Sequence, residues 1–144
     1  MSEKSSEMVA ETPVQYINPA GLIKNPAFTQ VVVASGPAKT VYVGMQNAAV
    51  PPDIIVGQGD IAAQTEQVLK NLEACLAAAG ARPEHIVHWN IYIAQGQPIE
   101  PAFQVGMRWW GNRPNPPANS VIVVPGFVPP AFLIGIDAIA VVPL

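Results

Sequence analysis

Charged residues and cysteines are scarce in this chain of 144 residues. Asp, Glu, Lys and Arg make up 12% of it, against about 25% in typical domains. The seven Lys and Arg residues form no cluster, which argues against DNA or RNA as a partner because phosphate binding needs a basic surface. Cys75 is the one cysteine, so an internal disulfide and a cysteine-based zinc site are excluded.

Long apolar runs and generic catalytic motifs are also missing. No stretch of about 18 apolar residues could span a membrane, and the polar start Met1–Glu11 does not look like a secretory signal. A cytoplasmic location is therefore expected. The chain contains no P-loop, GxGxxG, GxSxG or HExxH motif, and neither a cofactor nor a metal is expected. His85 and His88 begin a predicted strand and point to opposite faces, which is unfavourable for shared metal binding.

Apolar residues, by contrast, make up half of the chain. A chain of this length fits a single domain, 1–144, with a genuine core, and residues 1–15 are expected to form a flexible N-terminal extension. Because so few residues are charged, we expect much of the surface to be buried in an oligomer. The tryptophans Trp89, Trp109 and Trp110 are interpreted as packing anchors.

The hydrophobic pattern predicts the order β-β-α-β-α-β-β, which is typical of an α+β domain with two helices on one face of a sheet. Its clearest element is a helix from Asp60 to Ala79, with Asp60 as N-cap and Gly80 as the left-handed residue after its end. Gln64 is expected in solvent. The predicted buried face recurs every three or four positions, at Ile61, Thr65, Val68, Leu69, Leu72, Cys75, Leu76 and Ala79.

Two strands are expected before this helix. Phe28–Ser35 and Thr40–Gly44 are β-branched and flank the turn residues 36–39, so the sequence predicts a hairpin.

Three strands and a second helix are expected after it. Ile86–Ile93 alternates, with Val87, Trp89, Ile91 and Ile93 facing the helices. Pro101 suits the first turn of a helix that runs to Trp110 with Phe103 and Met107 on the same side as Trp110. The last strands, Ser120–Val124 and Phe132–Val142, are apolar on both faces, so the second face of the sheet needs a cover, most simply another subunit.

Several segments resemble the RidA/YjgF reactive-intermediate deaminase family, in order and at the right spacing from Asn18 to Val142. They are Asn18–Leu22, Pro26–Gln30, Asp60–Leu72 with Ala77–Ala81, Ile86–Ile93, Pro117–Ser120 and Gly135–Ala140. The resemblance implies a chorismate-mutase-like fold and a homotrimer with a barrel core and ligand pockets at the subunit interfaces. It also implies hydrolysis of imines and enamines, in which an arginine holds the substrate carboxylate, a glutamate orients water and a tyrosine lines the pocket.

This sequence departs from the family pattern at all three positions. Asn119 stands at the arginine position, Gly135 at the glutamate position and Phe28 at the tyrosine position. A neutral amide cannot supply the charge-assisted pair of hydrogen bonds that holds a carboxylate, and glycine offers no side chain. The departures argue against the usual deaminase mechanism.

Other residues are candidates for a pocket with different chemistry. Ser120 and Gln46 could offer neutral donors and acceptors beside Asn119, with Met45 and Phe28 as apolar walls and Gly135 beside them. Asp137 could act as an acid or base, or as a structural hydrogen-bond acceptor. Arg113 could reach the pocket or could be solvated.

Three functions remain as hypotheses at this point. The first is a homotrimer that binds a small metabolite at its interfaces without deaminase activity. The second is a divergent enamine or imine deaminase that uses Asp137 or Arg113. The third, a ribonuclease, has little support without a basic patch.

Overall fold

The computed structural model describes residues 13–144, in which two helices pack against a four-stranded sheet. The helices are α1 (Ile61–Ala78) and α2 (Ile99–Trp110), and a short 3-10 helix spans Pro83–His85. The strands are β1 (Val14–Ile17), β2 (Val31–Ala34), β3 (Ala38–Gln46), β4 (Ala49–Val50), β5 (Ile54–Ile55), β6 (Ile86–Ala94), β7 (Ala118–Val124) and β8 (Ile134–Pro143).

The main sheet has the order β3-β8-β6-β7. β8 pairs antiparallel with both β3 and β6, whereas β6 and β7 are parallel. A parallel pair needs a crossover connection, and α2 supplies it here. The predicted α+β class with two helices packed against the sheet is confirmed.

The predicted hairpin between residues 28–35 and 40–44 is wrong. β2 pairs with β1, from Val14 opposite Ala34 to Ile17 opposite Val31, and β3 pairs with the distant β8. Turn residues between two strands show where the chain reverses, but the partners of a strand are decided by packing with distant elements. Phe28 lies outside β2, and its N–H donates to the carbonyl of Asn25 in a turn.

Most of the expected N-terminal extension, residues 1–12, lies outside the described residues. Its last two residues, Val14 and Gln15, belong to β1.

Helix α1 is the element that the sequence predicted most closely. Asp60 caps it, because its Oδ1 accepts from the N–H of Ala63 at 3.2 Å, and Gly80 follows its end with φ +76°. The predicted face is buried at six positions: Ile61, Thr65, Val68, Leu69, Leu72 and Leu76. Cys75 is half-buried against the same core.

Gln64 is a correction, because the structure buries it completely instead of exposing it. Its amide Nε2 donates to the carbonyls of Ala131 (2.9 Å) and Gly57 (3.3 Å), and its Oε1 accepts from the N–H of Leu133 at 2.8 Å. The loop before β8 thus presents backbone groups that need partners inside the protein. The Gln64 side chain pairs with two of them and also donates to the carbonyl of Gly57 in the loop before α1.

The second helix and the C-terminal strands appear where they were expected, with small shifts in their ends. α2 begins two residues before Pro101, and its buried residues are Ala102, Val105 and Trp110. In β7, by contrast, Val121 and Val123 are more than half exposed. No helix in residues 13–144 is long and apolar enough to cross a membrane.

Candidate functional site

A pocket of about 260 Å³, the helix-face pocket, lies between α2 and the sheet. Its floor comes from β6, β7 and β8, one wall from α2, and its rim from residues 25–28 and 116–117. Among residues 13–144, those that line it include no Asp, Glu, Lys, Arg or His. Representative lining residues are Phe28, Trp89, Ile91, Met107, Trp110 and Asn119. The lining of this pocket suits an apolar ligand.

Five of the lining residues carry polar side-chain groups, and two of these are already engaged. Asn25 Oδ1 accepts from the N–H of Ala27 at 2.8 Å, and Thr65 Oγ1 donates to the carbonyl of Ile61 at 2.7 Å. The Nε1 atoms of Trp89 and Trp110 are buried without a hydrogen-bond partner among the described residues. The fifth is Asn119, whose amide has ample capacity to donate and accept.

The register of the sheet decides which predicted site residues meet. Asn119 lies opposite Trp89 in the β6–β7 ladder, so both face α2, whereas Ser120 lies opposite Asn90 on the other face. We call this other face, which the helices leave uncovered, the open face. The structure therefore brings Phe28 and Asn119 together at the helix-face pocket and places Ser120 elsewhere.

The remaining predicted wall residues meet on the open face. A Cβ added to Gly135 would lie 2.7 Å from Met45 Sδ and 3.3 Å from Phe127 Cε2, so Met45 occupies the space that a side chain at position 135 would need. Gln46, by contrast, lies opposite Ile136 on the helix side of the sheet, and it donates through Nε2 to the carbonyl of Gly44 at 3.1 Å. In the described part of the chain, the lining of the helix-face pocket includes Asn119 but neither Met45 nor Gly135.

Asp137 lies on the open face at the centre of a polar cluster. Its Oδ1 accepts from Asn90 Nδ2 at 3.0 Å, and its Oδ2 accepts from the Tyr92 hydroxyl at 3.1 Å. The hydrogen bond to Asp137 raises the pKa of Tyr92, since it favours the neutral hydroxyl, and burial and the carboxylate charge act in the same direction. The two donors fix the orientation of the carboxylate.

Arg113 lies at the end of α2 and does not line the helix-face pocket. Its Nη1 donates to the carbonyls of Trp109 (2.6 Å) and Trp110 (3.2 Å), and its Nε lies 3.5 Å from Glu84 Oε1. The guanidinium carbon is 5.3 Å from the centroid of the Trp109 ring. These contacts are those of a cation at a helix C-terminus, where carbonyls lack helical partners.

Trp89 and Trp110 line this pocket, a role that was not predicted because both were interpreted as packing residues. Trp89 and Trp110 are 7% and 6% exposed, which agrees with a role in packing. What could not be seen is that α2 leaves a space beside them, since that depends on how the helix crosses the sheet.

Comparisons with known proteins agree with this architecture. The profile of the family described as Endoribonuclease L-PSP matches residues 22–142. Protein DfrA of Myxococcus xanthus is 32% identical over 103 residues, which cover 72% of this chain and 76% of DfrA.

Solved structures show the same similarity. The Rid-family protein YyfB from Yersinia pestis superposes with a TM-score of 0.78 and 32% identity, covering 90% of this chain and 98% of YyfB. For the YjgF gene product of E. coli the TM-score is 0.63 with 25% identity, covering 71% and 80% of the two chains. The predicted RidA/YjgF resemblance is thereby confirmed. The chain belongs to the YjgF/Rid family, described as Endoribonuclease L-PSP.

Proposed function

We propose that this protein is a homotrimer that binds a small metabolite in pockets at its subunit interfaces and lacks the family's imine deaminase activity. The observation that carries the proposal is Asn119, a neutral residue at the arginine position, on the wall of a pocket without charged residues. An anionic substrate would lose its water there without gaining a counter-charge. Replacing a charged hydrogen bond by a neutral one forfeits about 1–3 kcal/mol of binding.

The open face supports the assembly. Tyr42, Met45 and Ile122 are 77%, 47% and 40% exposed, and the ladder places Tyr42 opposite Ile139 and Ile122 opposite Tyr92 on that face. Apolar side chains on a sheet face call for a cover, and further copies of the chain would supply it. Because Asn119 and Gly135 lie on opposite faces, a site that uses both positions needs two chains.

A divergent enamine or imine deaminase is the second candidate, and the Asp137 cluster favours it. A carboxylate held by two donors keeps its orientation and could position a water molecule. In this alternative a neighbouring subunit would bring Asp137 to a substrate. A ribonuclease is not proposed, and a cytoplasmic location stays a prediction.

We expect sedimentation velocity to give a particle of three times the chain mass of 15.2 kDa. Ile122→Lys should shift the particle towards the monomer, since it puts a charge on the open face. Gln104→Lys on the exposed side of α2 serves as the matched control and should leave the mass unchanged. A wild-type monomer at micromolar concentration would contradict the assembly.

We expect the wild-type protein to release 2-ketobutyrate from 2-iminobutanoate no faster than the uncatalysed reaction. The reason is that the group that binds the carboxylate and the group that orients water are both missing, at Asn119 and Gly135. The variant Asn119→Arg with Gly135→Glu should gain measurable turnover. It should carry Met45→Ala as well, because Met45 fills the space beside Gly135.

The control for this assay is Asn119→Gln combined with Gly135→Glu and Met45→Ala. It lengthens the side chain at position 119 without adding charge. It should gain nothing. Rapid turnover by the wild type would refute the non-deaminase proposal and favour the Asp137 alternative.

A further inference from the structure

We infer that copies of this chain assemble head to tail. Residues 22–24 of one copy, which we call the knob, dock on the open face of the next copy, and the Lys24 ammonium pairs there with the Asp137 carboxylate. The inference rests on the proposed function, and it names the two surfaces and the ion pair that hold the homotrimer together. Three observations carry it: a carboxylate without a counter-charge, a lysine without a partner among exposed apolar residues, and hydrogen bonds that fix the knob in place.

Asp137 puts an uncompensated charge on the open face. Its hydrogen bonds come from the neutral side chains of Asn90 and Tyr92, and no Lys or Arg in residues 13–144 lies within ion-pair distance of it. A carboxylate has about four acceptor sites, so room for a further donor is left. The large side chains of Tyr42 and Ile122 are exposed on the same face. A copy that covers this face removes water from the carboxylate, so its docking surface has to bring a cation among apolar side chains.

Lys24 is the cation whose surroundings match this demand. Four of the six described Lys and Arg residues already have partners in their own chain, namely Lys39, Arg82, Arg108 and Arg113. Lys24 and Lys70 have none among the described residues. Lys70 lies on the exposed side of α1, one turn after Glu66 and in a polar surrounding. Lys24, by contrast, directly follows Leu22 and Ile23, which are 55% and 75% exposed.

Hydrogen bonds fix the segment that carries the knob. Gln30 Nε2 donates to the carbonyl of Ile23 at 2.8 Å, and the N–H of Gln30 donates to Asn18 Oδ1 at 3.0 Å. The N–H of Thr29 donates to the carbonyl of Pro117 at 3.2 Å. A surface that keeps its shape before it docks loses less conformational entropy on association. Adjacent exposed apolar side chains on such a segment are typical of a contact surface.

The knob and the open face are different surfaces of one chain, so the contact between them is heterologous. Such contacts form a closed ring when the rotation between copies allows it, and three copies make the proposed ring. The knob continues directly into residues 25–28, the rim of the helix-face pocket. The mouth of this pocket would therefore border the next copy's open face, where Met45 lies against Gly135. In this way the next copy contributes side chains to the site that Asn119 lines.

The first test is chemical cross-linking of the wild-type protein with a water-soluble carbodiimide. This reagent joins an amine and a carboxylate that are in contact, forming an amide with loss of water and without a spacer. We expect covalent dimers and trimers on a denaturing gel, and mass spectrometry should find Lys24 linked to Asp137 in them. Lys24→Arg keeps the charge and removes the reactive amine, so it should assemble like the wild type and lose this link. Lys70→Arg is the matched control and should keep it.

The second test reverses the charges. Lys24→Glu places two carboxylates against each other and should raise the dissociation constant of the assembly about tenfold or more, measured by sedimentation. Lys70→Glu is the matched control and should leave the dissociation constant unchanged. Lys24→Glu combined with Asp137→Lys restores opposite charges and should restore assembly. Circular dichroism of each variant shows whether its fold is retained.

The outcomes separate this inference from the proposed function. A wild-type trimer without the link from Lys24 to Asp137, and with no effect of Lys24→Glu, would refute the head-to-tail contact and leave the proposed homotrimer intact. A wild-type monomer would refute both. A folded double variant that does not regain assembly would refute the pairing with Asp137. The cross-link is measured on the wild-type chain, so it decides the matter even where Asp137→Lys does not fold.

Discussion

Replacing Leu72 with alanine will lower the free energy of unfolding by about 2–5 kcal/mol. Leu72 lies in the middle of the buried face of α1 and has no exposed surface. It belongs to the cluster that α1 forms with the sheet, together with Val68 and Leu76. The substitution removes buried methyl groups and leaves a cavity that the neighbouring strands can fill only in part.

Chemical denaturation measures this loss. The protein concentration is kept the same for both proteins, because the stability of a protein that assembles rises with its concentration. Lys70→Ala, two residues earlier on the exposed side of α1, is the matched control and should change the stability by less than about 0.5 kcal/mol. Equal stability of the wild type and Leu72→Ala would show that the helix does not pack on the sheet through this face.

Replacing Gln64 with leucine should be similarly damaging, although leucine is apolar and of comparable size. The change strands the carbonyl of Ala131 and the N–H of Leu133, which the Gln64 amide now pairs, whereas the carbonyl of Gly57 keeps the N–H of Asp60 as its donor. Each buried group left without a partner costs about 1–3 kcal/mol, so we expect a loss of at least about 2 kcal/mol in the free energy of unfolding.

The same denaturation measurement checks this expectation. Gln104→Leu is the control, because Gln104 is exposed and its side chain pairs only with Glu100 on the same helix. A stability of Gln64→Leu within about 0.5 kcal/mol of the wild type would mean that water reaches these two backbone groups.

The elements that could be predicted from the sequence are those whose signals lie within the segment itself. Helix α1 was predictable to within one residue at each end, because its apolar spacing, the Asp60 cap and Gly80 are all encoded within the segment itself. Strands β6, β7 and β8 were predictable as strands for the same reason. Their apolar and β-branched runs are local properties.

Pairing and polar burial were not predictable, because both depend on residues far away in the chain. β3 follows β2 closely but pairs with β8, about a hundred residues later (Thr40 opposite Val141). Gln64 looks like any polar helix residue until the loop at Ala131–Leu133 is placed beside it.

The candidate site was likewise predictable only in part. Resemblance pointed to Phe28 and Asn119, and both line the helix-face pocket, Phe28 at its rim and Asn119 on its floor. The resemblance could not show that Ser120, Gly135 and Asp137 lie on the other side of the sheet. A shift of one residue in the strand register moves every side chain of the strand to the opposite face. The parallel pairing of Trp89 with Asn119 sets that register.

Strand β7 has a consequence for the solubility of separated chains. It forms one edge of the main sheet in the described part of the chain, and its residues Ala118–Val124 include neither a charge nor a proline. Uncharged, β-branched edge strands are templates for intermolecular pairing and aggregation unless something covers or interrupts them. We therefore expect subunits that dissociate from the proposed homotrimer to precipitate irreversibly, so that storage at low concentration destroys the protein rather than merely diluting it.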